Sequence, residues 1–383
     1  MKKTQPMRRW QEQNHKVSNQ EILETLRSGE YLGKIKRLES ISYEGVEYFD
    51  LSGISIEGEV LNISHLTHVD FSHARLENVQ FISDIPLSNL RFESANLKNI
   101  SFKRTTTVIN ERITLKDFIF DGARIEKSNF SEINFLGRNS FRNLTFNEVD
   151  FSESCFEKSV FADFFKSRFY RCILIGTNLN ETCLSDCFFI NSDLRDASFE
   201  KTNLSNIEFK DCFVNSKTAF DEKVILEGGK SFEKAAEVYS QLKIMFSRSG
   251  HYQKSKKYHV RKMISLRKVE KNPFRKLASW IYWLTTAYGE SPFRIMSWMA
   301  MIIVLFAFGY LFSDVAYAGK AENVVKDFGK CLYFSTVTFT TLGYGDWVPS
   351  GSTSRVLAGI ESFSGLFFLA IFSVLISKKM TRE

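Results

Sequence analysis

The heptapeptide TTLGYGD occupies residues 340–346, near the C-terminal end of this 383-residue chain. It has glycine at two alternate positions, Gly343 and Gly345, and glycine adopts left-handed backbone angles without steric cost. Such angles let successive carbonyl groups point to the same side of an extended loop. The heptapeptide therefore predicts a short ladder of backbone oxygens, which suits the binding of a cation that has lost its water.

Two apolar segments enclose this loop. Residues 295–313 contain no charged side chain, and a helix of that length covers about 29 Å, roughly one hydrocarbon core. The other apolar segment follows the loop, and an aromatic stretch before it suits a short pore helix. We therefore predict four elements in a unit of residues 293–383: a first span at 293–313, a pore helix at 328–340, the loop at 341–346 and a second span at 355–376.

With this arrangement, residues 293–383 resemble the pore domain of potassium channels with two transmembrane helices. The resemblance rests on TTLGYGD between a pore helix and two spans, and it covers about a quarter of the chain. It implies a homotetramer, because each chain supplies one filter strand, and it implies no cofactor beyond the permeant potassium ion. It assigns ion binding to Thr341, Leu342, Gly343, Tyr344 and Gly345, with the potassium sites at the first four of these. Asp346 is expected at the outer mouth.

The second span carries four further candidates. Gly365 lies nineteen residues after Asp346, where related channels have a hinge glycine, although a glycine there could equally serve close helix packing. Glu361 is an ionisable group in a span, which is costly and usually functional. We expect it behind the pore helix in a hydrogen-bonded structural role, away from the ion path. Leu369 and Ser373 are candidates to line the cavity.

A period of five residues dominates the N-terminal half of the chain. Ten large apolar residues follow one another at this interval: Phe164, Phe169, Leu174, Leu179, Leu184, Phe189, Leu194, Phe199, Leu204 and Phe209. Nine of the ten residues two positions before them are small. The period fits neither a helix nor a strand. It predicts a chain that turns a corner every five residues, with the large side chains inside.

This pattern resembles the pentapeptide-repeat family, and segments such as TNLNE at 177–181 and ANLKN at 95–99 match its consensus. The resemblance implies a right-handed quadrilateral β-helix over residues 41–215, with roughly eight coils stacked at about 4.8 Å. Repeat solenoids are binding surfaces and carry no chemistry by themselves. We expect a regulatory, docking or scaffold role. Both charge signs are intermixed along 41–210, so we expect no nucleic-acid mimicry and no nucleic-acid partner.

A basic segment connects the two regions. Residues 243–276 contain twelve Lys and Arg and one acid, a local charge of +11 against +7 for the whole chain. We predict a basic helical linker at 216–276 that contacts anionic lipid, since each basic residue near an anionic surface contributes roughly 1 kcal/mol. A solvated helix that only enforces orientation is the alternative. The candidate lipid contacts are Lys254, Lys256, Lys257, Arg261 and Lys262.

Residues 277–292 are rich in tryptophan and tyrosine, and the segment is too short to span a bilayer. It predicts an interfacial helix, since tryptophan and tyrosine favour the headgroup level. The leader, residues 1–40, is polar. Basic flanks on both spans place both termini in the cytoplasm, in a plasma or inner membrane.

The sequence as a whole predicts a multidomain protein: a β-helix, a helical linker and an all-α pore with two spans. Its first functional hypothesis is a tetrameric potassium-selective channel with a cytoplasmic repeat domain. The alternative is a membrane-anchored scaffold or interaction protein with a non-conducting or poorly selective pore. No Walker loop, dinucleotide fingerprint or pairing of nucleophile and base is visible, so an enzyme is not expected.

Overall fold

The structure is a computed structural model. It describes residues 19–30, 32, 40–43, 45–83, 85–103, 113–130, 133–136, 139–141, 145–147, 149, 151, 164–313, 315–318 and 327–380. Much of the predicted leader, 1–40, and most of the segment between the first span and the pore helix lie outside the described residues. The chain forms two compact units, Met1–Leu266 and Arg267–Glu383.

The described strands are short, and nineteen of them lie in the first unit. They are β1 Ser40–Tyr43, β2 Val46–Asp50, β3 Ser55–Glu57, β4 Val60–Asn62, β5 Thr67–Asp70, β6 Arg75–Glu77, β7 Gln80–Ile82, β8 Leu87–Arg91, β9 Asn96–Lys98, β10 Ser101–Lys103, β11 Ile113–Lys116, β12 Arg124–Glu126, β13 Ile133–Leu136, β14 Thr145–Asn147, β15 Arg168–Tyr170, β16 Phe188–Ile190, β17 Ser198–Phe199, β18 Glu208–Lys210, β19 Ala219–Phe220, β20 Val315–Tyr317 and β21 Trp347–Pro349.

The described helices are concentrated after the solenoid. They are α1 Asn19–Ser28, α2 Ile225–Gly228, α3 Phe232–Arg248, α4 Tyr252–Val269, α5 Pro273–Thr286, α6 Pro292–Leu311, α7 Phe328–Phe339 and α8 Ser352–Met380.

The first unit is a β-solenoid, which confirms the predicted fold. One of its faces is an eight-stranded parallel sheet in the order β18-β16-β15-β14-β12-β9-β6-β3. In its last steps, Phe169 pairs with Phe189 and Phe189 pairs with Phe209. Each of these steps is twenty residues, so four five-residue repeats make one turn. About seven turns separate the first strand of this face from the last.

Longer steps interrupt the repeat where the sequence pattern breaks. Leu97 pairs with Ile125, twenty-eight residues later, and Phe146 pairs with Phe169, twenty-three residues later. The extra residues fall largely outside the described part of the chain. The register of the strands on either side is kept, so the insertions leave the stack of coils intact.

Left-handed residues turn the corners of the solenoid. Positive φ angles recur every five residues along the last coils, two positions after the large apolar side chain: Asp186, Asn191, Asp196, Lys201, Asn206 and Asp211. Asparagine and aspartate tolerate this region better than other residues with a side chain. The polar residue two positions after each large apolar side chain therefore marks where the chain turns a corner, which the apolar period alone does not show.

The interior is a stack of aromatic rings bordered by small hydrogen-bonding side chains. The rings of Phe169 and Phe189 lie 4.3 Å apart and nearly parallel. The small residues do more than fit the corners, because they donate to carbonyl groups of the preceding coil. Thr202 Oγ1 donates to the Leu179 carbonyl at 2.8 Å, and Cys212 Sγ donates to the Phe189 carbonyl at 3.3 Å. Burial raises the pKa of Cys212 to about 12.

Helices cover the C-terminal end of the solenoid, and this differs from the predicted domain boundary at residue 215. Helix α3 packs Phe246 against Phe220, with ring centroids 6.0 Å apart. The Tyr258 hydroxyl of α4 donates to the Phe220 carbonyl at 3.4 Å. The segment expected to be a linker therefore begins as the cap that a solenoid end requires.

The second unit contains two helices, α6 and α8, that are long and apolar enough to cross a membrane. Helix α8 begins three residues before the predicted second span and ends four residues after it. Helix α5 also begins earlier than the predicted interfacial segment, because the Asn272 side chain accepts from the Phe274 backbone N–H at 2.9 Å and proline follows at the first helical position.

Candidate functional site

Helix α7 leads directly into the TTLGYGD loop. At its N-terminus the Asp327 carboxylate accepts from the Lys330 backbone N–H at 3.1 Å, which caps the helix. At its C-terminus, the Leu342 N–H donates to the Val337 carbonyl at 3.0 Å. The C-terminal end of α7, which carries a partial negative charge, is therefore joined to the first residues of the loop.

The loop backbone alternates between residues with positive φ and residues with negative φ. The φ angles are +57° at Thr341, +59° at Gly343 and +76° at Gly345, whereas Leu342 and Tyr344 keep negative φ. The sequence predicted the two glycine angles but not that of Thr341, where a β-branched residue in this region is a genuine outlier. The alternation therefore begins at Thr341, two residues before the first glycine.

The outer end of the loop is held by Asp346. Its carboxylate accepts from the Tyr333 hydroxyl at 2.9 Å and from the Trp347 backbone N–H at 3.0 Å. Its carbonyl accepts from the Ala318 N–H at 2.9 Å. Asp346 thus ties the loop both to helix α7 and to the antiparallel pair of strands β20 and β21. Tyr333 lies on α7 about two turns before the loop, and its hydroxyl reaches the far end of the loop at Asp346.

The loop residues are exposed within a single chain. Leu342 is 60% exposed and Tyr344 is 69% exposed. A methyl group built on Gly343 or Gly345 would meet no atom within 4 Å. One chain therefore presents a shaped backbone strand without enclosing it.

Residues 298–382 match the family model described as ion channel, and residues 172–211 match eight copies of the pentapeptide repeat. The chain is a fusion of pentapeptide repeats and an ion-channel domain. We call residues 298–382 the channel domain.

Two relatives match parts of the channel domain. Two-pore potassium channel 4 of Arabidopsis thaliana is 39% identical over 74 residues, which are 18% of this chain and 25% of that protein. Two pore potassium channel a of Oryza sativa subsp. japonica is 37% identical over 83 residues, 21% of this chain and 22% of that protein. The chain thus spans a quarter or less of the length of these relatives.

Among solved structures, the pentapeptide repeat protein HetL of Nostoc sp. strain PCC 7120 aligns with 45% of this chain and 87% of its own. The sequence identity is 14% and the TM-score is 0.19.

Glu361 lies inside the channel domain where three helices meet, and it is fully buried. Its carboxyl group accepts from the Tyr310 hydroxyl of α6 at 2.7 Å and contacts the Ser335 hydroxyl of α7. The position behind α7 agrees with the hydrogen-bonded role expected from the sequence. Neither partner could be identified from the sequence, since they lie 51 and 26 residues away.

Gly365 packs against the backbone of the last residue of α7. A methyl group built on it would overlap the Phe339 carbonyl oxygen and lie 2.8 Å from the carbonyl carbon. Helix α8 continues through this position from Ser352 to Met380. Close packing, one of the two alternatives left by the sequence, is therefore a property of this structure, and a hinge at Gly365 stays a prediction.

The two predicted cavity residues lie one turn apart on α8. The Ser373 hydroxyl donates to the Leu369 carbonyl at 2.9 Å. In a single chain Ser373 is exposed and Leu369 is half-buried. Their place on a cavity wall stays a prediction, because a cavity requires several chains.

The end of α8 is fastened to the segment between α5 and α6. Lys378 donates to the Gly289 carbonyl at 3.1 Å and to the Glu290 carboxylate at 2.9 Å. The Glu290 side chain is only 4% exposed. This ion pair joins the segment between α5 and α6 directly to the end of α8.

Most of the predicted lipid-binding residues contact other parts of the first unit. Lys254 donates to the Thr218 carbonyl at 2.5 Å, and burial lowers the pKa of its ammonium group. Arg261 and Lys257 both pair with Glu222, at 2.7 and 3.4 Å, and Arg261 is the main cause of the lowered pKa of that carboxyl.

The other two predicted lipid-binding residues, Lys256 and Lys262, are half-buried. Lys262 donates to the Ser240 hydroxyl at 3.0 Å.

Four exposed basic residues follow in the second unit: Lys268, Lys271, Arg275 and Lys276. The last two lie on α5 beside large apolar side chains that are also exposed. Phe274 is 81% exposed, Leu277 is 55% exposed and Ile281 is 48% exposed. The combination of basic and apolar exposed residues is typical of a helix at a membrane interface.

Proposed function

We propose that this protein is a potassium-selective channel formed by four copies of the chain. The observation that carries the proposal is the alternation of φ at Thr341, Gly343 and Gly345 in a loop between two membrane-length helices. Such a backbone turns consecutive carbonyl oxygens toward one side, where they replace the water around a potassium ion. Conduction is passive, and the ion is the only ligand that the mechanism needs.

The exposure of the loop supports a tetramer. One chain contributes a single strand of oxygens, and a dehydrated ion needs oxygens on all sides. The apolar side chains of α8 support the same arrangement, since Phe363 is 76% exposed and Leu366 is 61% exposed. We assign these surfaces to lipid and to neighbouring copies, as expected for helices in a plasma or inner membrane.

Potassium and sodium flux into vesicles reconstituted with the full chain tests this proposal. We expect potassium flux to exceed sodium flux clearly in the wild type. Gly343→Ala places a side chain at a φ of +59°, a strain of about 1–3 kcal/mol per strand. We expect it to abolish selective flux.

Gly359→Ala is the matched control, because a methyl group on this glycine of α8 meets no atom within 4 Å. It should retain wild-type flux. Selective conduction by Gly343→Ala at the normal rate would contradict the assignment of the filter. A wild-type protein that is folded but conducts no ion would favour the alternative, a membrane-anchored scaffold.

We further propose a contact between anionic lipid and the basic segment, and a cytoplasmic location for both termini. The exposed set at Lys271, Arg275 and Lys276 supports the contact better than the five residues chosen from the sequence, because most of those already have partners in the chain. The solenoid then serves docking or regulation from the cytoplasmic side. The Lys378–Glu290 ion pair supports regulation, since it joins the elbow after α5 to the end of α8.

A further inference from the structure

One buried carboxyl group connects all three helices of the channel domain. Glu361 on α8 accepts from the Tyr310 hydroxyl of α6 and contacts the Ser335 hydroxyl of α7. The Ser335 hydroxyl also reaches the Ile303 carbonyl of α6, at 2.8 Å. The side chains of Glu361 and Ser335 are both fully buried. The cluster therefore holds α7 against both spanning helices.

The hydrogen atoms available in this cluster constrain the charge of Glu361, because the Ser335 hydroxyl lies within donating distance of both the Ile303 carbonyl and the Glu361 carboxyl group. A serine hydroxyl has one hydrogen to donate, and a backbone carbonyl can only accept. If Ser335 donates to Ile303, its contact with Glu361 is satisfied only when the carboxyl group donates a hydrogen to the serine oxygen. A carboxylate cannot do so, whereas a carboxylic acid can, and its other oxygen still accepts from Tyr310.

The surroundings favour the same protonation state. The groups that face Glu361 are the Tyr310 phenol of α6 and the Ser335 hydroxyl of α7. No basic side chain is among the hydrogen-bond partners recorded for Glu361 in the described residues. A buried carboxylate without a paired cation is strongly disfavoured.

We propose that Glu361 is a neutral carboxylic acid that positions the pore helix α7, and that its deprotonation releases this helix. The proposal rests on the channel function given above. Ser335 lies six residues before Thr341, on the helix that ends at the filter. When Glu361 loses its proton, the single hydrogen of the Ser335 hydroxyl can be donated either to the carboxylate or to the Ile303 carbonyl. Donation to the carboxylate removes the hydrogen bond to Ile303, and the contact between α6 and α7 is weakened. Raising the pH therefore lowers the open probability, and lowering it restores the channel.

The infrared spectrum of the reconstituted full chain tests the protonation state directly. At neutral pH we expect the carbonyl stretching band of a protonated carboxylic acid in the wild type, and its loss in Glu361→Gln. Glu290→Gln is the matched control, because Glu290 is buried in the same unit but pairs with Lys378. This variant should lose carboxylate bands instead. If Glu361→Gln loses carboxylate bands like the control, the proposal is overturned whether or not the protein conducts.

Single-channel recording then tests the positioning role. Glu361→Gln keeps a donor for Ser335 and an acceptor for Tyr310, so we expect wild-type open probability without the loss at alkaline pH. Glu361→Ala and Ser335→Ala should each reduce the open probability about tenfold, and the double variant should be no worse than either, since both break one network. Additive losses, or an alkaline inhibition that persists in Glu361→Gln, would contradict the positioning role and leave the channel assignment intact.

Discussion

The two units of this protein use the same apolar residue in opposite ways. In the solenoid, Phe169 is 1% exposed and Phe189 is fully buried. In the channel domain, Phe363 is 76% exposed and Phe367 is 59% exposed within one chain. The solenoid completes its own core, whereas the channel domain leaves large apolar side chains exposed, which the proposed function assigns to lipid and to other copies. The number of apolar residues therefore says less about each unit than the surroundings that its apolar side chains face.

Residues with positive φ angles occur at regular intervals in both units, but the interval differs. Left-handed residues recur every five positions in the last coils of the solenoid and every two positions at Thr341, Gly343 and Gly345. At the longer spacing each one turns a corner, and the carbonyl groups between corners pair with the next coil. At the shorter spacing, in the proposed filter, the carbonyl groups would align along the loop and be available to an ion. Under that proposal, the spacing of positive φ distinguishes the scaffold from the binding site.

Substitution of Gly365 should have the largest effect of the changes proposed here, and it should affect the channel domain but not the solenoid. Gly365→Ala forces a methyl group onto the Phe339 carbonyl, and overpacking of this kind costs about 1–3 kcal/mol in each chain. In the proposed tetramer this cost arises in all four chains, so we expect loss of the assembly on gel filtration in detergent and loss of potassium flux. Thermal unfolding of the solenoid, followed by circular dichroism, should be unchanged.

Gly309→Ala on α6 is the control for this variant, since its methyl group would lie 3.7 Å from a Leu357 methyl, an ordinary contact. It should assemble and conduct. A Gly365→Ala protein that assembles and conducts like the wild type would show that α8 and α7 need not lie so close.

Removal of the solenoid should have a smaller effect. The unit boundary falls after Leu266, in the last turn of α4, so a cut there removes the solenoid together with nearly all of its capping helices. We expect the remaining chain to keep potassium selectivity, because the filter is untouched. Its open probability should change by about fivefold or more, a typical allosteric coupling, as measured by single-channel recording.

A single substitution in the ion pair at the end of α8 tests the same coupling without the deletion. Lys378→Met in the full chain breaks the link to Glu290 and should produce a similar change in open probability. An unchanged open probability in both proteins would mean that the solenoid only locates the channel.

Lipid binding should show the smallest effect. Replacing Lys271, Arg275 and Lys276 by glutamine removes exposed charges, each worth at most roughly 1 kcal/mol at an anionic surface. We expect weaker binding to anionic vesicles and a reduced salt dependence in a flotation assay. Replacing Lys254, Lys257 and Arg261 should change binding less, because these residues already contact Thr218 and Glu222. The reverse order would restore the assignment made from the sequence.

Local periodicity was enough to predict the solenoid, the two spans and the loop. A period of five residues, an uncharged run of membrane length and two alternate glycines each describe a short piece of chain, and the backbone angles of such pieces are set by their own side chains. The same local signals did not predict the positive φ of Thr341. A β-branched residue does not prefer this angle, so the angle is imposed by the loop around it.

Only the tertiary structure decided which residues meet. Glu361 contacts Tyr310 and Ser335 across 51 and 26 positions, and Lys378 contacts Glu290 across 88. The helices after residue 215 cap the solenoid because Phe246 and Tyr258 reach Phe220. No periodicity encodes such pairs, since they depend on how whole elements pack. The charge proposed for Glu361 and the exposure of the basic residues depend on those contacts, and so neither could be predicted from the sequence alone.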